Sequence, residues 1–107
     1  MKVNGREIIF RNEFVDKFKE ISAYIGEKSI LNEVNFIKEL NIMVFVTIPK
    51  RPFSFQEFAK KPTAAKIYRR ALFKKKWNII YKVETTRLVF LYIYHSSQNV
   101  NKIKVNG

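Results

Sequence analysis

Apolar and polar residues alternate with different periods in the two halves of the chain, and that change separates a helical part from a stranded one. Residues 6–11 (REIIFR) are a short β-rich run and predict the first strand. Asn12 then suits a helix N-cap, with Glu13 and Asp16 in the first turn, where the helix dipole favours acids. Phe14, Phe18, Ile21 and Ile25 recur at helical spacing, with Lys17, Lys19 and Glu20 elsewhere on the wheel. This predicts an amphipathic helix over 13–26, ended by Gly26. Ser29 caps a second helix whose stripe is Ile30, Val34, Ile37 and Leu40, widened by Phe36 and Met43. Residues 44–48 are β-branched enough to read as strand, so the end of this helix stays open, and Pro49 stops it either way. Joined by residues 26–28, the helices should form an antiparallel hairpin with Tyr24 and Phe36 packed inside.

Residues 49–63 are a connection. Ser54 to Glu57 matches a capping box and predicts a short helical turn over 55–60. Phe53, Phe55 and Phe58 would either pin this loop to the body or grip a ligand, and the anchoring role is the preferred one. Three β-rich runs follow, at 65–73, 76–84 and 87–95, linked by Lys74-Lys75 and Thr85-Thr86. Connections that short make hairpins. Trp77, Ile79, Tyr81 and Val83 share an apolar face that should cover the helices, and Asn78, Ile80 and Lys82 share a mixed, partly wet one. Ile79, Tyr81, Leu91 and Ile93 are expected to be buried. Residues 96–107 read as a loose polar tail to which Val100 and Ile103 add a little packing. No internal repeat or low-complexity segment is present.

The first strand must join the meander, because so short a strand is not a sheet by itself. The expected fold is α+β: two layers in the order β-α-α-β-β-β, with the helical hairpin on one face of a four-stranded, mostly antiparallel sheet.

At 107 residues the chain fits one domain, and 47% apolar content excludes compositional disorder. Cysteine is absent, which excludes a disulfide scaffold, a thiolate nucleophile and cysteine-ligated metal. The single His leaves an all-histidine metal site dependent on a second chain. No apolar run approaches the ~18–20 residues of a membrane span, and the N-terminus has no apolar signal core, so a cytoplasmic location and no membrane partner are expected. The net charge is +12. Residues 1–48 carry seven basic and seven acidic side chains, whereas residues 49–107 carry fourteen basic side chains against Glu57 and Glu84. A field confined to one half favours an anionic partner: nucleic acid, a ribosome or an acidic protein segment.

This order, at this length, resembles the RelE/ParE superfamily, the toxins of bacterial type II toxin–antitoxin modules, also described as plasmid-stabilisation proteins. The resemblance is sharpest at Trp77-Asn78-Ile79-Ile80-Tyr81-Lys82-Val83 and continues through Leu88 to His95. Ile8-Ile9-Phe10, then Phe14, Phe18, Ile21, Tyr24 and Ile25, look like the family's opening strand and first helix. The match covers most of 6–99, with the 49–63 connection longer than usual. It implies a toxin domain over residues 1–99 followed by a tail over 100–107. It also implies a growth inhibitor neutralised by a cognate antitoxin, here an acidic one drawn to the basic half.

The family implies two chemistries. ParE-like members bind DNA gyrase and cleave nothing. RelE-like members are metal-independent endoribonucleases that cut messenger RNA on the ribosome. Neither involves a cofactor or a small-molecule substrate. Cleavage at a 2′-hydroxyl needs a proton acceptor, a holder of phosphate charge and a proton donor for the leaving oxygen. The candidates for that work are His95, Arg69 and Arg70, with Lys74, Lys75, Lys76, Asn78 and Lys82 as target- or phosphate-binding groups. Asn78 stands where nucleases of the family carry Arg, and Ser96-Ser97 follow His95 where they tend to carry Arg. The binding, gyrase-type mode is therefore preferred. His95 has a second reading, a strand-end side chain hydrogen-bonded locally, and the lysine run a second reading as a solvated turn. A non-toxic basic nucleic-acid-binding domain fits the charge but not the order of elements.

Overall fold

The computed structural model describes residues 1–107. Its elements are β1 (Lys2–Val3), β2 (Arg6–Phe10), α1 (Asn12–Lys28), α2 (Ile30–Ile42), β3 (Gln56–Glu57), β4 (Tyr68–Phe73), β5 (Trp77–Val83) and β6 (Arg87–His95). The fold is mixed α+β, and the sheet has six strands in the order β1-β2-β6-β5-β4-β3. The four expected strands form its centre. Two short edge strands extend it, and β2 runs parallel to β6 while every other pairing is antiparallel. The helical hairpin between β2 and the meander carries the chain back to the start of the sheet, which lets the first and last strands run side by side in one direction.

Each added edge has a local cause. Asn4 and Gly5 both have positive φ, 51° and 86°, and the pair makes the tight turn that folds β1 onto β2. At the other edge Ser54 donates its hydroxyl to the Arg51 carbonyl at 2.8 Å instead of capping a helix. Gln56 and Glu57 are then extended and pair with Arg70 and Arg69. The expected helical turn over 55–60 is therefore a sheet edge.

The helices also differ in detail from expectation. Arg11, extended and without a side-chain bond, is the residue before α1, so Asn12 is not the cap. Gly26 lies inside α1 rather than ending it, and a methyl there would meet the Glu33 carboxylate of α2. Ser29 alone separates the helices, and its hydroxyl accepts from the Asn32 N–H at 3.1 Å. Phe36 and Leu40 are buried, but Ile30 and Val34 are 74% and 55% exposed and Tyr24 lies outside the hairpin. The stripe that faces the sheet is Phe36, Leu40, Val44 and Ile48, with Ile37 and Met43 packed against it, so the second half of the expected stripe faces the sheet and Ile30 and Val34 do not. Residues 44–48 stay helical because this burial outweighs their β propensity. Met43–Thr47 winds wider, with the Ile48 N–H donating to the Met43 carbonyl. That wider turn accommodates Pro49, which lacks an N–H, and the helix continues to Lys50.

Burial splits across the sheet as the alternation of β5 requires. Ile79, Tyr81 and Val83 pack under the helices with Leu88, Phe90 and Ile93. Phe90 is the hub of an aromatic group, 5.4 Å from Phe10, 5.7 Å from Phe14 and 5.8 Å from Tyr81 by ring centroid. Ile80 faces the other way with Val89, Leu91 and Tyr94. A bulge skips Leu91: Ile80 pairs with Tyr92 but Tyr81 with Phe90. Leu91 is thus buried, on the face away from the helices. The segment expected to be a loose tail covers that second face, with Ile103 and Val105 buried on it beyond a 3₁₀ turn at Val100–Lys102. Lys60 fixes the segment by donating to the Val100 carbonyl at 2.8 Å and to the Ile103 carbonyl. No helix is long and apolar enough to cross a membrane.

Candidate functional site

The strand register decides which candidate residues meet. Arg70 pairs with Ile80 and shares the second face with Asn78, Lys82 and Tyr94. Its guanidinium donates to Asn78 Oδ1 at 2.7 Å and to Gln56 Oε1. Asn78 in turn donates from Nδ2 to Ser96 Oγ at 3.0 Å and more weakly to the Tyr94 carbonyl at 3.5 Å. Asn78 is only 1% exposed. It was expected to touch a target or phosphate. Instead its amide is used inside the fold, bridging β4 to the end of β6 and orienting Arg70. Burial pushes the Tyr94 phenol up, and the nearby Arg70 charge opposes this.

Lys82 lies on the same face, directly across from Tyr68, with its ammonium 3.1 Å from Glu84 and 3.3 Å from the Gly107 carbonyl. Hydrogen bonding from Arg87 holds the Glu84 carboxyl down at about 2, with Lys82 adding to the effect. Tyr68 donates to the Gly107 carbonyl at 2.7 Å and carries Lys61 and Lys82 over its ring at 5.0 and 5.7 Å. Lys60, Lys102 and Lys104 are exposed around this face. It is therefore rich in cations and tyrosines, with Glu84 as the carboxylate inside the cluster.

Arg69 points to the opposite face, in register with Tyr81. Its guanidinium donates to the carbonyls of Lys66, Phe53 and Phe55 at 2.9, 3.1 and 2.9 Å and sits over the Phe53 ring. Tyr81 donates its hydroxyl to the Pro52 carbonyl at 2.6 Å, and burial keeps that phenol protonated. Together they fasten the long connection to the sheet. Phe58 is buried, on the second face, and Phe55 stands edge-on to Tyr81, which is the anchoring role expected of the phenylalanines.

His95 is also on the helical side, paired with Trp77 and edge-on to its indole at 5.0 Å. Its Nδ1 accepts from the Ser97 N–H at 3.0 Å and lies 2.7 Å from Ser97 Oγ. The three residues proposed for catalysis are thus not gathered. His95 and Arg70 are separated by the sheet, and Arg69 lies about 13 Å from the His95 end, at ~3.3 Å per strand residue. The structure gathers a set that the sequence did not single out: Gln56, Arg70, Tyr94 and Ser96 around Asn78. The β4–β5 register, set by the three-residue turn Lys74–Lys76 that pairs Phe73 with Trp77, brings this set together.

The lysine run does not join them. Lys74 reaches Glu39 of α2 at 3.0 Å, and Lys74 and Lys76 line a polar cleft of about 280 Å³ between α2 and the β4–β5 turn. A second, apolar cleft of about 260 Å³ lies between the helices, lined by Phe10, Phe14, Leu40 and Phe45 among others. It carries no titratable group. No cluster of His, Cys, Asp and Glu with metal-binding composition is present.

A scan against models of known protein families returns no match for this chain, and a search of curated proteins returns none.

Proposed function

We propose that this chain is a RelE/ParE-like toxin of a type II toxin–antitoxin pair, which arrests bacterial growth by binding an essential target without cutting it. An acidic antitoxin neutralises it. The order strand, helical hairpin, three-stranded meander supports the family reading. One observation carries the binding mode: His95 lies on the helical face while Arg70 and Lys82 lie on the other. Cleavage of one phosphodiester requires base, charge stabiliser and acid within reach of the same phosphate. The contact surface in this reading is the cationic second face, with Arg70 and Lys82 as its central charges and DNA gyrase as the type of target.

The nucleolytic alternative is favoured by a different observation, the buried phenol of Tyr94 near Arg70. A phenol held protonated beside a guanidinium is a proton donor next to a charge stabiliser. The test is growth arrest on induced expression, with folding of each variant checked by circular dichroism. Arg70→Ala and Lys82→Ala should each relieve arrest, and His95→Ala should leave it intact. Relief by His95→Ala alone would overturn the binding reading.

A further inference from the structure

The β4–β5 turn breaks a local rule. Lys74 and Lys75 have φ of 53° and 61°, the left-handed conformation that Asn and Gly adopt at little cost. Two consecutive lysines there cost about 1 kcal/mol each relative to Gly. Strain of this kind is concentrated at sites where the side chains act on something outside the fold. The turn places Lys74 and Lys76 on the rim of the cleft against α2, opposite Asn32, Asn35 and Glu39, with Trp77 lining the wall between. The indole N–H of Trp77 is buried and has no acceptor, although almost every buried donor in a folded protein has one. An outside acceptor reaches it only if the ring shifts.

We infer that this cleft binds a nucleotide, free or within a single strand, with its phosphate on Lys74 and Lys76 and its base or ribose against Asn32, Asn35 and Glu39. The donor and acceptor inventory selects this ligand over an acidic peptide. A peptide that displaced Glu39 from Lys74 with a side-chain carboxylate would have only its backbone N–H groups to offer Glu39, and the strand of the peptide fixes where those point. A nucleotide brings phosphate acceptors for the lysines and also hydroxyl or amino donors for Glu39. The two asparagine amides each pair with both kinds of group on a base edge. The cleft lies on the helical side, away from Arg70 and Lys82, so the inference does not depend on the toxin reading.

Trp77 is the one tryptophan of the chain and lines both this cleft and the neighbouring one that holds His95, so its emission reports binding at either and Lys76→Glu, on this cleft alone, assigns it. The full chain is titrated with uridine monophosphate, hexauridylate, inorganic phosphate and hexaglutamate. Saturable change in emission with either uridine ligand is the expected result. Equal affinity for both indicates a free nucleotide, and a response to hexauridylate alone indicates a strand. Lys76→Glu should weaken binding about tenfold or more, as loss of a central charged contact does. The double variant Lys74→Asn, Lys75→Gly should weaken binding too, yet raise Tm by several degrees because it relieves the turn (about 4–8 °C per kcal/mol). Silence of Trp77 towards both uridine ligands would overturn the inference. So would an equal response to phosphate or hexaglutamate, or binding unchanged in folded Lys76→Glu.

Discussion

Replacing Asn78 by Ala removes the acceptor of Arg70 at 2.7 Å and the donor to Ser96 at 3.0 Å, and leaves a void where a 1%-exposed side chain stood. The magnitude follows from what each partner does next. Arg70 is half-buried and keeps Gln56, and Ser96 is exposed, so water replaces part of what both lose. The rest is the Arg70 bond, a hydrogen bond to a charged group worth about 1.5–3 kcal/mol, reduced by that rehydration, plus a small cavity. The expected cost is about 2 kcal/mol, a fall in Tm of roughly 8 °C for a chain of this size. Asn78→Asp keeps an acceptor for Arg70 and should recover part of it at neutral pH. Denaturant unfolding followed by circular dichroism measures both. If Asn78→Ala cost less than about 0.5 kcal/mol, the amide would not be holding the strand ends together, and its assignment to the fold rather than to a target would fail.

Ile79→Ala, at a site with no exposed surface under the helices, should cost about 2–5 kcal/mol by thermal or denaturant unfolding; a change below 1 kcal/mol would mean that the helices do not cover this face. Glu84 has a carboxyl held at about 2 against an ordinary 4.5, so it contributes stability above pH 4.5 that is lost as pH falls towards 2. Because the group is surface-accessible, Glu84→Gln should cost only about 1 kcal/mol at pH 7 and nothing below pH 2, and an equal effect at both pH values would remove the ion-pair explanation. Association with an acidic antitoxin should slow steeply as salt rises from about 50 to 500 mM, and a rate that stays flat would separate the binding from the charge of residues 49–107.

The periodic elements were legible because each repeats one signal many times. The α1 pattern from Phe14 to Ile25 and the alternation of β5 from Trp77 to Val83 fix type and inward face without help from the rest of the chain. What failed depended on single residues or on distant partners. Asn4-Gly5 was a sufficient hairpin signal for β1 and went unread because the strand before it is two residues long. Only the first part of the expected α2 stripe failed: Ile30 and Val34 are as apolar as Phe36 and Leu40, and only packing on the sheet chooses between them. The tail looked loose because Ile103 and Val105 are isolated among polar residues, and their burial depends on the face made by Ile80, Val89 and Leu91. The candidate site suffered from the same dependence. Residue types alone grouped His95 with Arg70, whereas alternation along paired strands assigns them to opposite faces.

The most direct test of a toxin that binds and does not cut is the integrity of messenger RNA in bacteria arrested by induced expression of this chain. The account predicts growth arrest with 5′-end maps unchanged from uninduced cells. Site-specific cuts that appear on induction and vanish in folded His95→Ala or Tyr94→Phe would contradict it and establish a nuclease. Growth that continues at full rate, with the folded protein present, would contradict the toxin reading itself.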